Sequence, residues 1–180
     1  DVSEPMLELG RALNPEVRAV QGDMRSARLN GRFEVVLIHD AIEYMTSPAD
    51  ALAALRTAAA HLVPGGLVVL APIYLTETFA EHEAAHDTAS DATRTITALS
   101  YVHDPDPNDT TIELVLVYLI RDETTGQLHI EHDRHTCGLF SARQWRSWLD
   151  EAGFELLPDA ATPSGEAAEA SAALFLGLKR

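Results

Sequence analysis

The stretch that decides the fold runs from Phe33 to Ala71. It reads Phe33-Glu34-Val35-Val36-Leu37-Ile38, then Ser47-Pro48 and an Ala/Leu-rich segment, then Pro64-Gly65-Gly66 and Leu67-Val68-Val69-Leu70-Ala71. The first apolar run is nearly continuous, as in a strand covered on both faces of a parallel sheet. Ser47 suits an N-cap and Pro48 a first helical turn, so residues 49–62 are predicted helix, stopped by Pro64-Gly65-Gly66. A second buried strand follows at Leu67–Ala71. Strand, helix and strand joined by short turns form a βαβ unit, and two such strands predict a doubly wound α/β sheet.

Upstream, Val2–Leu13 is predicted to be an amphipathic helix, with Ser3 as cap, Pro5 in the first turn and a stripe of Met6, Leu7, Leu9 and Leu13. Asn14-Pro15 ends it, and Val17-Arg18-Ala19-Val20 reads as a short strand turning out at Gln21-Gly22-Asp23. Downstream, Thr76–Ala92 reads as a polar helix. Three β-rich stretches follow, Thr95–His103, Thr111–Arg121 and Gln127–Thr136, expected to form an antiparallel meander. Ser141 opens a helix with Trp145, Trp148 and Leu149 that ends at Gly153, and strands are expected at Phe154–Leu157 and Ala172–Leu178 across an acidic, Ala-rich loop.

The 180 residues suit one domain over 1–180, within which 93–136 forms the antiparallel insert. Thirteen Lys and Arg against 28 Asp and Glu give a net charge of −15, which disfavours nucleic acid and anionic membrane as partners. A single cysteine, Cys137, leaves no internal disulfide and suits a reducing cytoplasm. No apolar run approaches a membrane span. The chain opens at Asp1 without methionine, so a segment is expected to precede it.

Four short motifs now line up. Asp1-Val2-Ser3-Glu4-Pro5-Met6-Leu7 resembles the D-x-S-x-x-M-L segment after the second strand of class I S-adenosylmethionine (SAM)-dependent methyltransferases, and Gln21-Gly22-Asp23-Met24 resembles their G-D-M turn after strand three. Phe33-Glu34-Val35-Val36-Leu37 is similar to their F-D-x-V fourth strand, and Leu62-Val63-Pro64-Gly65-Gly66 to their L-x-P-G-G turn before strand five. His135-Thr136-Cys137-Gly138-Leu139-Phe140-Ser141 resembles the H-x-x-G-L-F-[ST] stretch of a subgroup that includes the N,N-dimethyltransferases of nucleotide-linked amino sugars. The resemblance implies a Rossmann-like methyltransferase sheet with an antiparallel insert after strand five, and SAM as cofactor. It also implies that strands one and two, with their Gly-rich loop, precede Asp1.

The positions make chemical sense. Ligands of open α/β sheets bind beyond the carboxyl ends of the strands. Asp1 would accept the ribose hydroxyls with Val2 beside it, Asp23 would accept the adenine amino group, and Met6 and Met24 would flank the base. His39, ending the fourth-strand motif with Asp40, would lie near the methionine end, ahead of Glu43-Tyr44-Met45. His135 is the candidate base for a small-molecule amine or hydroxyl, and Tyr44 shapes the acceptor site. Each has a plainer role too: Asp1 as a cap, Asp23 as a turn former, Met6, Met24 and Tyr44 as packing residues, His39 and His135 as ordinary polar side chains.

Two other readings compete. His82-Glu83-Ala84-Ala85-His86 spells H-E-x-x-H, which on a helix would offer zinc two imidazoles, with Glu83 as base and His129, His132 or His135 as third ligand. The charged flanks Glu81 and Asp87 are unlike the buried helices of such hydrolases, so no metal is expected. A methyltransferase-like chain that binds a partner without catalysis is the second alternative. A homodimer is the oligomer entertained.

Overall fold

The computed structural model describes residues 1–158 and 173–180. The acidic, Ala-rich loop and the expected strand start at Ala172 fall outside them. The chain divides into two compact units, residues 1–73 with 142–180, and Tyr74–Ser141.

In the first unit, helix α1 (Glu4–Leu13) starts where the Ser3 hydroxyl accepts from the Met6 N–H, and ends at Asn14. Strand β1 (Phe33–His39) runs parallel to β2 (Leu62–Ala71), and helix α2 (Pro48–His61) connects them as the βαβ reading required. The register runs from Val35 opposite Leu67 to His39 opposite Ala71. Ser47 caps α2 by accepting from the Asp50 N–H at 3.2 Å. The Pro64-Gly65-Gly66 turn is a bulge inside β2 rather than a boundary before it. Gly65 has φ 75, and a Cβ on Gly66 would stand 2.9 Å from the Val63 carbonyl and 3.1 Å from that of Glu34. Both glycines are required by the backbone.

In chain order, the second unit supplies β3 (Ala84–Ser90), β4 (Arg94–His103), β5 (Thr111–Asp122) and β6 (Leu128–Gly138). The first unit resumes with α3 (Ala142–Glu151), β7 (Phe154–Leu156) and β8 (Phe175–Lys179). Its sheet has the order β1-β2-β8-β7, with β8 antiparallel to both neighbours. Buried side chains from α2 (Ala51, Ala54, Leu55), β2 (Leu62, Val68, Leu70), α3 (Trp145, Leu149) and the last strands (Phe154, Phe175) make its core. Each large one contributes about 1.5–3 kcal/mol by leaving water.

Three expectations fail here. The Phe33–Ile38 run is not covered on both faces: β1 is an edge strand, and Phe33, Val35 and Leu37 on one face are 40 %, 53 % and 64 % exposed. Of the α1 stripe only Leu7 is buried, while Met6, Leu9 and Leu13 face solvent. Val17–Val20 forms no strand, because among the described residues no strand lies beside it to accept a ladder.

In the second unit β3 to β6 pair antiparallel in chain order, the expected meander with one strand more. The helix expected over Thr76–Ala92 does not form, since its second half is β3. Pairing with β4 overrides local propensity. Thr88 and Thr97 hydroxyls meet at 2.9 Å, Ser90 and Thr95 at 3.0 Å, and Asp91 Oδ1 accepts from the N–H groups of Thr93 and Arg94 to make the hairpin. His82-Glu83-Ala84-Ala85-His86 therefore leads into a strand, and the one-turn helical spacing that a zinc pair requires is absent. Where the chain enters and leaves this unit, Leu75 bridges to Phe140 and both are buried.

Candidate active site

The candidate site is built from the Asp1 turn, the Gly22-Asp23 turn and the turn that follows β1. Asp1 sits beside the 20–22 segment: its amino group donates to the Val20 carbonyl at 3.3 Å, and its carbonyl accepts from the Gly22 N–H at 2.9 Å. That is the bond pattern of two parallel chains. It sets the Asp1 turn next to the Gly22-Asp23 turn, with Gln21 Nε2 donating to the Val2 carbonyl at 3.2 Å. The Asp1 carboxylate accepts from the Ser3 N–H at 2.7 Å through Oδ1. Val2 and Met6 themselves are exposed.

Asp23 is held by Arg25. Its oxygens accept from the Arg25 N–H, Nε and Nη2 at 2.6–3.0 Å, and Arg25 Nη1 reaches Asp50 Oδ1 at 2.8 Å. The guanidinium pulls the Asp23 carboxyl down to about 2, aided by the backbone N–H, and also holds Asp50 below the usual carboxylate range. Asp23 is thus an ionised acceptor whose orientation is set by Arg25.

At the carboxyl end of β1, His39 Nδ1 lies 2.6 Å from Asp40 Oδ1, both well exposed. Asp40 has φ 34, an uncommon backbone state for a non-glycine residue. A 3-10 turn follows at Ala41–Tyr44, in which Glu43 is buried and accepts from the Ile73 N–H at 2.7 Å. One carboxylate thus ties the turn after β1 to the segment leaving β2. Tyr44, in the same turn, is exposed. His39 and Met24 line one open cleft of about 290 Å³, whose other walls include Leu29, Val36, Ile38 and Ala54. The first unit therefore gathers Asp1 with the Asp23 turn, and Met24 with His39. In the second unit His135 lies on β6 opposite Leu114, with Nε2 3.4 Å from Asp133 Oδ2.

Residues 3–158 match the family model described as a methyltransferase domain. The chain belongs to the methyltransferase-domain family. As a methyltransferase it is 30 % identical over 179 residues to the dTDP-3-amino-3,4,6-trideoxy-alpha-D-glucopyranose N,N-dimethyltransferase of Streptomyces venezuelae, spanning 99 % of this chain and 71 % of that one. It is 31 % identical over 181 residues to the dTDP-3-amino-3,6-dideoxy-alpha-D-glucopyranose N,N-dimethyltransferase of Streptomyces fradiae, 99 % and 66 % of the two chains. The crystal structure of Streptomyces venezuelae DesVI superposes with a TM-score of 0.85 at 26 % identity, covering all of this chain and 72 % of that one. SAM-bound CalS10, an amino pentose methyltransferase from Micromonospora echinaspora, shares the fold with a TM-score of 0.78, at 23 % identity and 100 % and 72 % coverage. The expected family and α/β class hold.

Four polar residues escaped the sequence reading of the site. Glu43 was visible only as part of the turn after β1. Arg25 follows Asp23 by two, the spacing of a side chain folding back on a turn carboxylate. Thr57 and His61 interrupt the apolar face of α2 four residues apart.

Proposed function

We propose that the protein transfers a methyl group from S-adenosylmethionine to a small-molecule acceptor, with the amino nitrogen of a nucleotide-linked sugar as the favoured acceptor. The observation that supports this is the pairing of the Asp1 and Gly22-Asp23 turns, which sets two carboxylate-bearing turns side by side. The donor set fits: Asp1 accepts the ribose hydroxyls, Asp23 the adenine amino group, and Val2, Met6 and Met24 give the base apolar contact. His39 stands towards the methionine end. When bound, SAM supplies an electrophilic methyl group on a sulfonium that departs as a neutral thioether. The residues of the chain then orient the acceptor, exclude water and receive one proton. His135 accepts that proton from the attacking nitrogen, and Tyr44 shapes the acceptor pocket. The two units work as one domain over 1–180, with 93–136 as the acceptor-side insert.

The exposed faces of β1 and α1 suit a further part of the sheet, the two strands and Gly-rich loop that the motif order implies. The sugar acceptor is inferred from the dTDP-amino-sugar relatives.

The test is calorimetry of the full chain with S-adenosylhomocysteine, followed by methyl transfer from labelled SAM to a dTDP-3-amino sugar. Binding that Asp23→Ala weakens at least about tenfold is expected, the loss of a charge-assisted hydrogen bond. No heat and no thermal shift with either cofactor form would refute the proposal.

A further inference from the structure

The buried polar side chains of the first unit include Thr57 and His61, one helical turn apart on α2, and both also line the cleft that Met24 and His39 share. Both bond to residues 23–29, the segment that carries Asp23 and Met24. His61 Nε2 accepts from the Leu29 N–H at 2.8 Å, and Nδ1 lies 2.8 Å from the Thr57 carbonyl. Those partners assign the tautomer: Nε2 offers its lone pair, so Nδ1 bears the proton and donates. Thr57 Oγ1 donates to the Arg25 carbonyl at 2.9 Å and lies 3.4 Å from Arg28 Nη1. Arg25 spans from Asp23 to Asp50, whose other oxygen accepts from the Ser47 hydroxyl at 2.7 Å.

Asp50, Thr57 and His61 share a helix face, since spacings of seven and four return to the same side. That face rises about 16 Å from first to last, and residues 25–29 run along it in the same direction. The segment belongs to no helix or strand, and the backbone bonds within it close one turn, Ser26 and Ala27 onto the Asp23 carbonyl. Its course beyond that turn is set by side chains of α2. A helix in a βαβ unit packs on its neighbours mainly through apolar contacts, whereas here two buried polar side chains of α2 find their partners in one loop.

We propose that His61 and Thr57, together with Arg25, are positioning residues for the adenine end of the cofactor, latching residues 23–29 to α2 so that Asp23 and Met24 stand at fixed places. This rests on the reading of Asp23 and Met24 as adenine-facing groups. A latch of this kind separates the kinetic constants. Cofactor binding depends on where the Asp23 turn stands, whereas the acceptor side and the chemical step do not, once cofactor saturates the site.

The experiment compares the full-chain protein with His61→Leu, His61→Gln, Thr57→Val and Arg25→Gln. It measures the dissociation constant of S-adenosylhomocysteine by calorimetry, and kcat and KM for SAM and for a dTDP-3-amino sugar. His61→Leu should raise the dissociation constant and the KM for SAM about tenfold, with kcat and acceptor KM within about twofold. His61→Gln, whose amide can serve both partners, should recover most of the loss. Should His61→Leu fail to fold, Thr57→Val and the exposed Arg25→Gln decide by the same split. Wild-type binding with no change in these variants overturns the latch and leaves the methyltransferase reading standing. Equal losses in kcat, acceptor KM and cofactor affinity also overturn it, as the mark of general destabilisation. A wild-type protein that binds neither cofactor form removes the reading on which the latch rests.

Discussion

Removing the Glu43 carboxylate tests how the turn after β1 is held. The side chain is 5 % exposed, and its Oε1 accepts from the Ile73 N–H at 2.7 Å, across 30 residues of sequence. A hydrogen bond to a charged group is worth about 1.5–3 kcal/mol. Glu43→Ala loses that bond and leaves the Ile73 amide only part-solvated, so about 2 kcal/mol of stability should go. For a chain of this size each kcal/mol moves the midpoint about 2–4 °C, giving a fall in Tm of about 4–8 °C. Glu43→Gln keeps a carbonyl acceptor and removes a buried charge, whose desolvation is itself unfavourable. It should lose less than half as much. Thermal scans by circular dichroism with urea titration at matched pH read both variants. Glu43→Ala melting within about 1 °C of wild type would refute the reasoning, as would Glu43→Gln falling as far as Glu43→Ala.

Acid titration should expose the Arg25 network. The Asp23 carboxyl falls from 3.8 to about 2 because Arg25 holds it, and Asp50 is lowered by the same group. A depressed folded value means stability that is fully present above the unfolded value and lost as pH falls through the folded one. The urea midpoint of the wild type should therefore drop between about pH 4 and 2, and Arg25→Gln should flatten that drop; equal slopes would contradict it. Gly66→Ala should cost about 1–3 kcal/mol, because the added Cβ meets two backbone carbonyls that cannot swing aside. Gly10→Ala, inside α1 with nothing within 4 Å, should instead stabilise by about 0.5–1 kcal/mol, and denaturant titration distinguishes the signs. His135→Gln should lower kcat by about 10²-fold or more at unchanged cofactor affinity if the imidazole takes the proton, as single-turnover kinetics would record.

The β1-α2-β2 unit was legible because its signals agree: a cap at Ser47, a proline at position 48, a helical stretch of the right length and two apolar runs. Strand β3 was not, because Glu81–Ala92 has the composition of a polar helix. Only the neighbouring β4 makes it a strand, and the Asp91 turn is the one local hint. Asp1, Asp23 and His39 could be named because a turn motif fixes position along the chain. Arg25, Thr57 and His61 could not, because what makes them a group is bonding across 25 to 32 residues, and no spacing encodes that.

The exposure of β1 teaches a different lesson. An apolar run records which faces a strand covers in its functional state, and the pattern of Phe33, Val35 and Leu37 is that of a strand with both faces packed. In the first unit one of those faces is open, as is the stripe of Met6, Leu9 and Leu13 on α1. Solvated singly, such residues mean little. Three on one strand and three on one helix, they leave each of these elements with an apolar face open to solvent. The β1 face adjoins the cleft that His39 and Met24 line, since Phe33 and Leu37 share its wall. On the proposed reading of Met24 and His39 as cofactor-facing residues, an element covering Val35 and Leu37 would stand beside them, so the strength of cofactor binding and the burial of Val35 and Leu37 should rise and fall together.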